Sequence, residues 1–213
     1  MIQNTSRQAM IDAAEQIVAE RGLPALTLKD VQLAANQSNK SAAKYHFGSR
    51  EGLLDAVIDA RMSRVNARRQ VMLEKLQDSR HPATVRQLVE TLVQPLAAET
   101  MYRPNSRYAR FLVQALFDPA LAGLLQRHFQ AASYTAVVEL LSDHGSLPPE
   151  IGQWRIQNIV MLNMMALAAH EGLGRTPSEC DAIVTDLITT CVASFEAPVA
   201  APSQPPSNTN CQE

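Results

Sequence analysis

Tyr45-His46-Phe47-Gly48-Ser49-Arg50-Glu51-Gly52-Leu53-Leu54 is the stretch on which the reading of this chain turns. Gly48 ends a short helix that carries the aromatic residues, because glycine enters the left-handed backbone region without a steric penalty. Ser49 follows as an N-cap, its hydroxyl placed for the free N–H groups of a new helix start. From there Leu53, Leu54, Val57, Ile58, Met62, Val65, Met72 and Leu76 keep helical spacing, which predicts one long helix. Upstream, Thr27 caps a short helix carrying Leu28, Val31 and Ala34 or Ala35. Asn36 breaks that pattern, since Asn tolerates a positive φ. A second short helix is expected from about Asn39 to His46. Helix, tight turn and short helix make the outline of a helix-turn-helix.

The rest of the chain is helical by the same test. Met10, Ala13, Ala14, Ile17 and Val18 form a first stripe that Gly22 stops and Pro24 keeps stopped. After Pro82 come Val85, Leu88, Val89, Leu92, Val93 and Leu96, with Pro95 inside and a kink expected there. Residues 107–117 are expected to be helical with Tyr108, Phe111, Leu112 and Ala115 on one side. Pro119 opens a helix through about Leu141. Another runs from Ile151 to about Glu171, ended by Gly172 and Gly174. The last starts near Pro177 and carries Ile183, Val184, Leu187, Ile188, Cys191 and Phe195. The expectation is an all-α fold of about nine helices: three short ones in residues 1–48, six longer ones in 49–196, and a Pro-, Ala- and Ser-rich disordered tail over 197–213.

Composition sets the bounds. In 213 residues, 46% hydrophobic and 19% charged describe a globular chain, and eight glycines argue against Gly-rich α/β turns. The net charge of −2 is uneven: residues 1–80 carry 12 Lys and Arg against 9 Asp and Glu, and residues 81–213 carry 7 against 12. Such a split suggests different work for the two parts. Cys180 and Cys191 would stand about 16 Å apart on one helix, too far to bridge. With no disulfide framework, no signal peptide and no apolar run of membrane-spanning length, a cytoplasmic protein without a membrane partner is expected.

No Asp or Glu occurs from Val31 through Arg50, while Lys40, Lys44 and Arg50 are cationic. Asn39, Ser41, Tyr45 and His46 add hydrogen-bonding groups. A surface that meets phosphates wants cations and hydroxyls with no carboxylate near them. Base edges want short polar side chains on the first turn of the second helix. Ser41, Ala42 and Ala43 are small enough for close approach to a groove. A solvated polar helix fits the same charge pattern.

These residues resemble the TetR family of bacterial transcriptional repressors. The likeness lies in Ile11-Asp12-Ala13-Ala14, Ala19-Glu20-Arg21-Gly22, Leu26-Thr27-Leu28-Lys29-Asp30-Val31 and, most specifically, the run from Tyr45 to Leu54. It covers about the first quarter of the chain. The sequence departs from the family at Asn36, where Gly is common, at the polar Gln37, and at Lys44, where many members have a first Tyr. The resemblance implies a homodimer that reads a pseudo-palindromic double-stranded operator with the second short helix of each subunit. It implies Thr27 as cap and phosphate contact, Asn39, Lys40 and Ser41 at the recognition helix, and Lys44, Tyr45 and His46 on phosphate. Phe47 reads as core and Ser49 as a cap.

The resemblance further implies a C-terminal half that binds a small-molecule effector and dimerises, the effector releasing a repressor from its operator. Candidates for the effector pocket are Met62, Tyr102, Tyr108, Phe111, Gln114, Phe117, His128 and Met165, with Tyr134 beside them. Arg103, Arg107 and Arg110 would attract an anion or form a solvated face. Candidates for the dimer interface are Gln157, Met161, Met164, Ile183, Leu187 and Ile188. In support, ten of the eleven residues from Ile159 to Ala169 are apolar, so that helix needs cover on two sides. A central helix of a monomer would satisfy the same pattern.

Enzyme readings fare worse. His46, His81, His128, His144 and His170 show no metal-ligand spacing with the cysteines, and no phosphate loop or nucleophile elbow appears. No catalytic residue, metal or cofactor is expected. The surviving alternative is a helical small-molecule-binding or interaction module without DNA-binding activity.

Overall fold

Capping residues mark the element ends that shape the N-terminal unit. The first helix, α1 (Ile2–Arg21), stops at Gly22 with φ 82°, and a 3-10 turn (Leu23–Ala25) containing Pro24 follows. Thr27 starts α2 (Leu28–Ala34), its hydroxyl accepting from the Asp30 N–H at 3.1 Å. Asn36 holds φ 50° in the turn, and α3 covers Ala42–Phe47. Gly48 closes α3 at φ 71°. Ser49 then caps α4 (Arg50–Gln77) by accepting from Gly52 N–H at 3.1 Å. At 1.5 Å per residue, the 28 residues of α4 make a rod about 42 Å long.

The remaining helices are α5 (Val85–Thr100), α6 (Tyr108–Leu116), α7 (Ala122–Phe129), α8 (Ala132–Ser142), α9 (Pro149–His170) and α10 (Pro177–Glu196). The structure, a computed structural model, describes residues 2–39, 41–119, 121–144 and 147–199, with every side chain in them except those of residues 2–5 and 122. Lys40 and residues 200–213, most of the expected tail, lie outside the described residues. Among the described residues there is no strand, and no helix is long and apolar enough to cross a membrane.

Among the described residues ten α-helices replace the nine expected. The single helix expected from Pro119 to Leu141 is two: it begins only at Ala122 and breaks at Gln130 and Ala131. No Gly or Pro marks the break. The Ala131 backbone turns extended, at φ −60° and ψ 135°, and the Phe129 and Tyr134 rings meet across the corner with centroids 5.4 Å apart.

One apolar core runs through the molecule. α1 rests on both α4 and α6; α5 packs between α4 and α10; α6 lies on α9; and α8 touches α4, α5 and α9. Met10, Ile11 and Val18 of α1, Leu53 to Val65 of α4, and Leu88, Phe111 and Leu167 further on belong to this one cluster. α6 is fastened from a distance. The buried Glu171 carboxylate, just past α9, accepts from the Ala109 and Arg110 N–H groups at 3.1 and 2.7 Å, taking up free donors of the α6 start. Burial pushes the Glu171 carboxyl above its ordinary pKa against these bonds.

Candidate functional site

The α2–α3 unit presents one open face. Tyr45 is 76% exposed, and Thr27, Asn39, Ser41 and Lys44 are exposed with it. His46 is half-buried, its ring edge-on to Tyr45 at 5.2 Å. An exposed aromatic beside a lysine, on a stretch without carboxylates, presents donors to an anion with nothing to repel it. The inner face is fixed: Phe47 is buried, and the Arg7 guanidinium lies 5.5 Å from its ring centroid.

Several residues take other places than the sequence suggested. α3 starts at Ala42, not Asn39, because the Asn39 side chain accepts from Ser41 N–H at 3.0 Å and its carbonyl from Ala42 N–H and Gln32 Nε2. That start turns Ala42 and Ala43 into the core, so they do not ease approach to a groove. Arg50 donates to the carbonyls of Leu26 and Leu23 at 3.0 and 2.6 Å, tying the 3-10 turn to α4. Gln37 has a structural task. It donates to Ala35 O at 2.9 Å and accepts from the Ser6 hydroxyl, pinning the turn to α1. Gly52 was missed as a requirement: a Cβ there would stand 2.1 Å from the Phe47 carbonyl oxygen, so α3 and α4 meet this closely only with glycine.

A seam of charges, buried at Glu15, Arg61 and Glu99, joins α1 to α4 and α5. Arg61 of α4, 2% exposed, grips Glu15 of α1 with Nε at 2.5 Å and Nη2 at 2.8 Å. Its Nη2 also reaches Asp12 at 3.3 Å. Across the seam Glu99 of α5 lies 3.9 Å from Arg61 and 2.9 Å from Arg64, with Arg103 at 3.7 Å. Burial raises the pKa of Glu15, while Arg61 opposes that shift by hydrogen bond and charge.

From the next residue, Met62, as far as Arg69 the same helix walls a cavity of about 40 Å³. Met62, Val65 and Arg69 come from α4, and Leu92 and Leu96 from α5. Leu112 of α6, Leu125, His128 and Phe129 of α7, Tyr134 of α8, and Val160, Asn163 and Met164 of α9 close it. Burial pulls His128 below its ordinary pKa, so it is neutral at pH 7.

Of the sequence candidates for an effector pocket, Met62 and His128 line this cavity, and so does Tyr134. Tyr108 and Phe111 are wholly buried and stack on each other in the core, outside its walls. Gln114 and Phe117 are exposed, and Met165 points outward from α9. Tyr102 lies in a separate surface groove, where its hydroxyl donates to Asp181 at 2.5 Å and the phenol is pushed up to about 12. Arg103, Arg107 and Arg110 are spent elsewhere: on the seam, on Ser106 O, and on Ala168 O. Sequence reasoning missed Arg69 and Asn163.

The outer face of α9 carries a bare apolar stripe. Trp154, Met161, Leu162 and Met165 are exposed, with Gln157 among them. Ile183 is half-buried. Met164, Leu187 and Ile188, expected to face a partner, are buried in the protomer's own core, because α9 and α10 pack on each other and on α5 through those sides. Among the described residues no group of His, Cys, Asp and Glu side chains is arranged to hold a metal ion.

The fold recurs in solved structures of transcriptional regulators. A transcriptional regulator from Rhodococcus sp. Rha1 matches with a TM-score of 0.57 at 18% identity, over 90% of this chain and 99% of that one. A TetR transcription regulator from Haloarcula marismortui matches at 0.56 and 14%, over 91% and 98%. NalD, the secondary repressor of the MexAB-OprM multidrug efflux pump in Pseudomonas aeruginosa, matches at 0.54 and 15%, over 89% and 96%. No family model and no curated protein matches the sequence. The likeness is one of fold: the chain has the fold of TetR-family transcriptional regulators over about nine-tenths of its length.

Proposed function

We propose that this protein is a cytoplasmic transcriptional repressor, a homodimer released from its operator by a small organic effector. One observation carries the reading: a single helix, α4, is capped against the exposed α2–α3 face, holds α1 through Arg61, and walls the cavity with Met62, Val65 and Arg69.

In this reading residues 1–48 form the DNA-reading unit and the remaining helices sense and dimerise. Thr27, Lys44, Tyr45 and His46 engage phosphates. Ser41 sits at the start of the recognition helix, where base edges come within reach, and Lys40, its neighbour in sequence, is assigned a contact by the family resemblance alone. The α9 stripe around Met161 meets its symmetry mate, which sets two α3 helices against half-sites about 34–36 Å apart or a multiple of that spacing. An effector that parts the cavity walls tilts α4, and with it the whole reading unit. Release requires the effector to prefer the tilted state: turning the population from about 1:99 to 99:1 takes about 5.5 kcal/mol of differential affinity. A cavity of about 40 Å³ holds only a few waters, so a ligand must open it, and opening supplies such a difference.

A gel-shift titration against DNA surrounding the protein's own gene, with scrambled DNA as control and at several salt concentrations, tests this. Selective binding is expected, with affinity falling linearly in log salt. Tyr45→Ala and Lys44→Ala should abolish or greatly weaken binding at unchanged helicity, since both side chains are exposed. Equal affinity for both DNAs at every salt concentration, or full binding by both variants, would sink the reading.

A further inference from the structure

Arg69 is 4% exposed and has no carboxylate partner among the described residues. Its Nη1 donates to Asn66 Oδ1 at 2.6 Å, and its guanidinium lies 5.6 Å from the Tyr134 ring centroid. Its Nε donor has no partner among the described residues. On the α9 side of the same cavity, the Asn163 amide donates to Leu92 O at 3.3 Å, while Oδ1 is left without a donor. The contrast with Arg61 is plain: that equally buried guanidinium has Glu15, Asp12 and Glu99 around it. Burial lowers the Arg69 pKa to about 10, which leaves it charged at neutral pH. With His128 neutral, the cavity holds one uncompensated cation against mostly apolar walls.

A buried cation without a counter-ion is costly to a folded protein. Tyr134 offsets part of that cost by a cation–π contact, but it leaves the Nε proton unused. We propose that the cavity binds an amphipathic organic anion, a carboxylate on an apolar body, with Arg69 as its counter-ion. The assignment rests on reading the protein as ligand-responsive. A carboxylate meets the guanidinium fork through two parallel N–H bonds, Nε among them. A hydroxyl or amide N–H on the ligand satisfies Asn163 Oδ1. Met62 and Met164 supply walls that yield, since methionine re-packs around new shapes at low cost. A neutral ligand of the same size would leave Arg69 buried and unpaired, which is the basis of selection.

The test uses the full-length protein, thermal shift and calorimetry. The probes are hexanoate to dodecanoate and a set of phenylalkanoates, each paired with the alcohol and the amine of the same skeleton. Carboxylates are expected to raise the unfolding temperature and to bind about tenfold or more tightly than their alcohols. Arg69→Met should erase that preference, and Arg69→Lys should keep a weakened one. Without ligand, Arg69→Met should unfold at the same or a higher temperature, because it removes an uncompensated buried charge. The proposal is overturned if no carboxylate of either set binds, if alcohols bind equally well, or if Arg69→Met keeps the preference. A large loss of stability in that variant would also overturn it, by marking Arg69 as structural. Failure of the gel-shift leaves an Arg69-dependent anion result standing; a protein that binds its operator but no anion loses this assignment alone.

Discussion

Replacing Arg61 with methionine removes the charged link between α1 and α4 while keeping most of the volume and the apolar contact. Arg61 is buried, and its bidentate partner Glu15 is 2% exposed, so the variant strands a carboxylate in the interior. Breaking one side of a buried pair costs about 3–5 kcal/mol. Glu99 keeps Arg64 at 2.9 Å, so Glu15 is the main charge stranded and the low end applies, about 3 kcal/mol. For a chain of this size that lowers the unfolding temperature by about 6–12 °C. The pH dependence gives the sharper test. Burial already raises the Glu15 pKa, and the variant loses Arg61, which opposes the shift. A carboxyl whose folded pKa lies above its unfolded one binds more protons when folded. Its contribution to stability is fully present below the unfolded pKa and is lost as pH rises through the folded one. The deficit of Arg61→Met against wild type should therefore be largest at pH 8 and shrink toward pH 5 in urea titrations. Glu15→Gln added to it should recover part of the loss at pH 8. A deficit of about 1 kcal/mol or less, the worth of an exposed ion pair, would refute the reasoning, as would a deficit constant across pH.

Two further outcomes follow from the packing. Gly52→Ala drives a Cβ to 2.1 Å from the Phe47 carbonyl, where backbone must shift; roughly 1–3 kcal/mol of stability should go and, under the proposed function, much of the DNA affinity with it, measured by denaturation and gel shift together. Met161→Glu places a charge on the exposed α9 stripe: if the proposed homodimer forms there, light scattering should find a monomer with unchanged helicity, and a dimer of undiminished mass would move the interface elsewhere.

The parts of this structure legible in the sequence are those decided within a few residues. Thr27 and Ser49 cap the helices expected of them, and Asn36 takes the positive φ of the turn, because each contact is local. What was not legible depends on neighbours far along the chain. The corner at Gln130 and Ala131 has no breaker residue and comes from the packing of α7 and α8. Ala42 and Ala43 suit a groove or a core equally by size; the start of α3, fixed by the Asn39 side chain, chose the core. Tyr108 and Phe111 show the same ambiguity, since an aromatic on a helical stripe looks alike in a wall and in a cavity. Arg68 and Arg69 are adjacent on α4, about 100° apart around the helix. Only the placement of α8 and α9 decides that Arg69 is the one sealed inside.

Because α4 is one unbroken rod, exchanging parts of this protein is a matter of where that rod is cut. A junction at residue 48 parts Arg61 from Glu15 and sets the α1 face that rests on α4 against a stranger's helix. A junction after Val65 carries Glu15 and Arg61 over together and leaves Arg69 to the incoming half. If the proposed function holds, a hybrid that keeps this protein's N-terminal unit and answers to another's effector is thus to be sought with its seam between Arg61 and Arg69, an interval of about 12 Å along the helix axis.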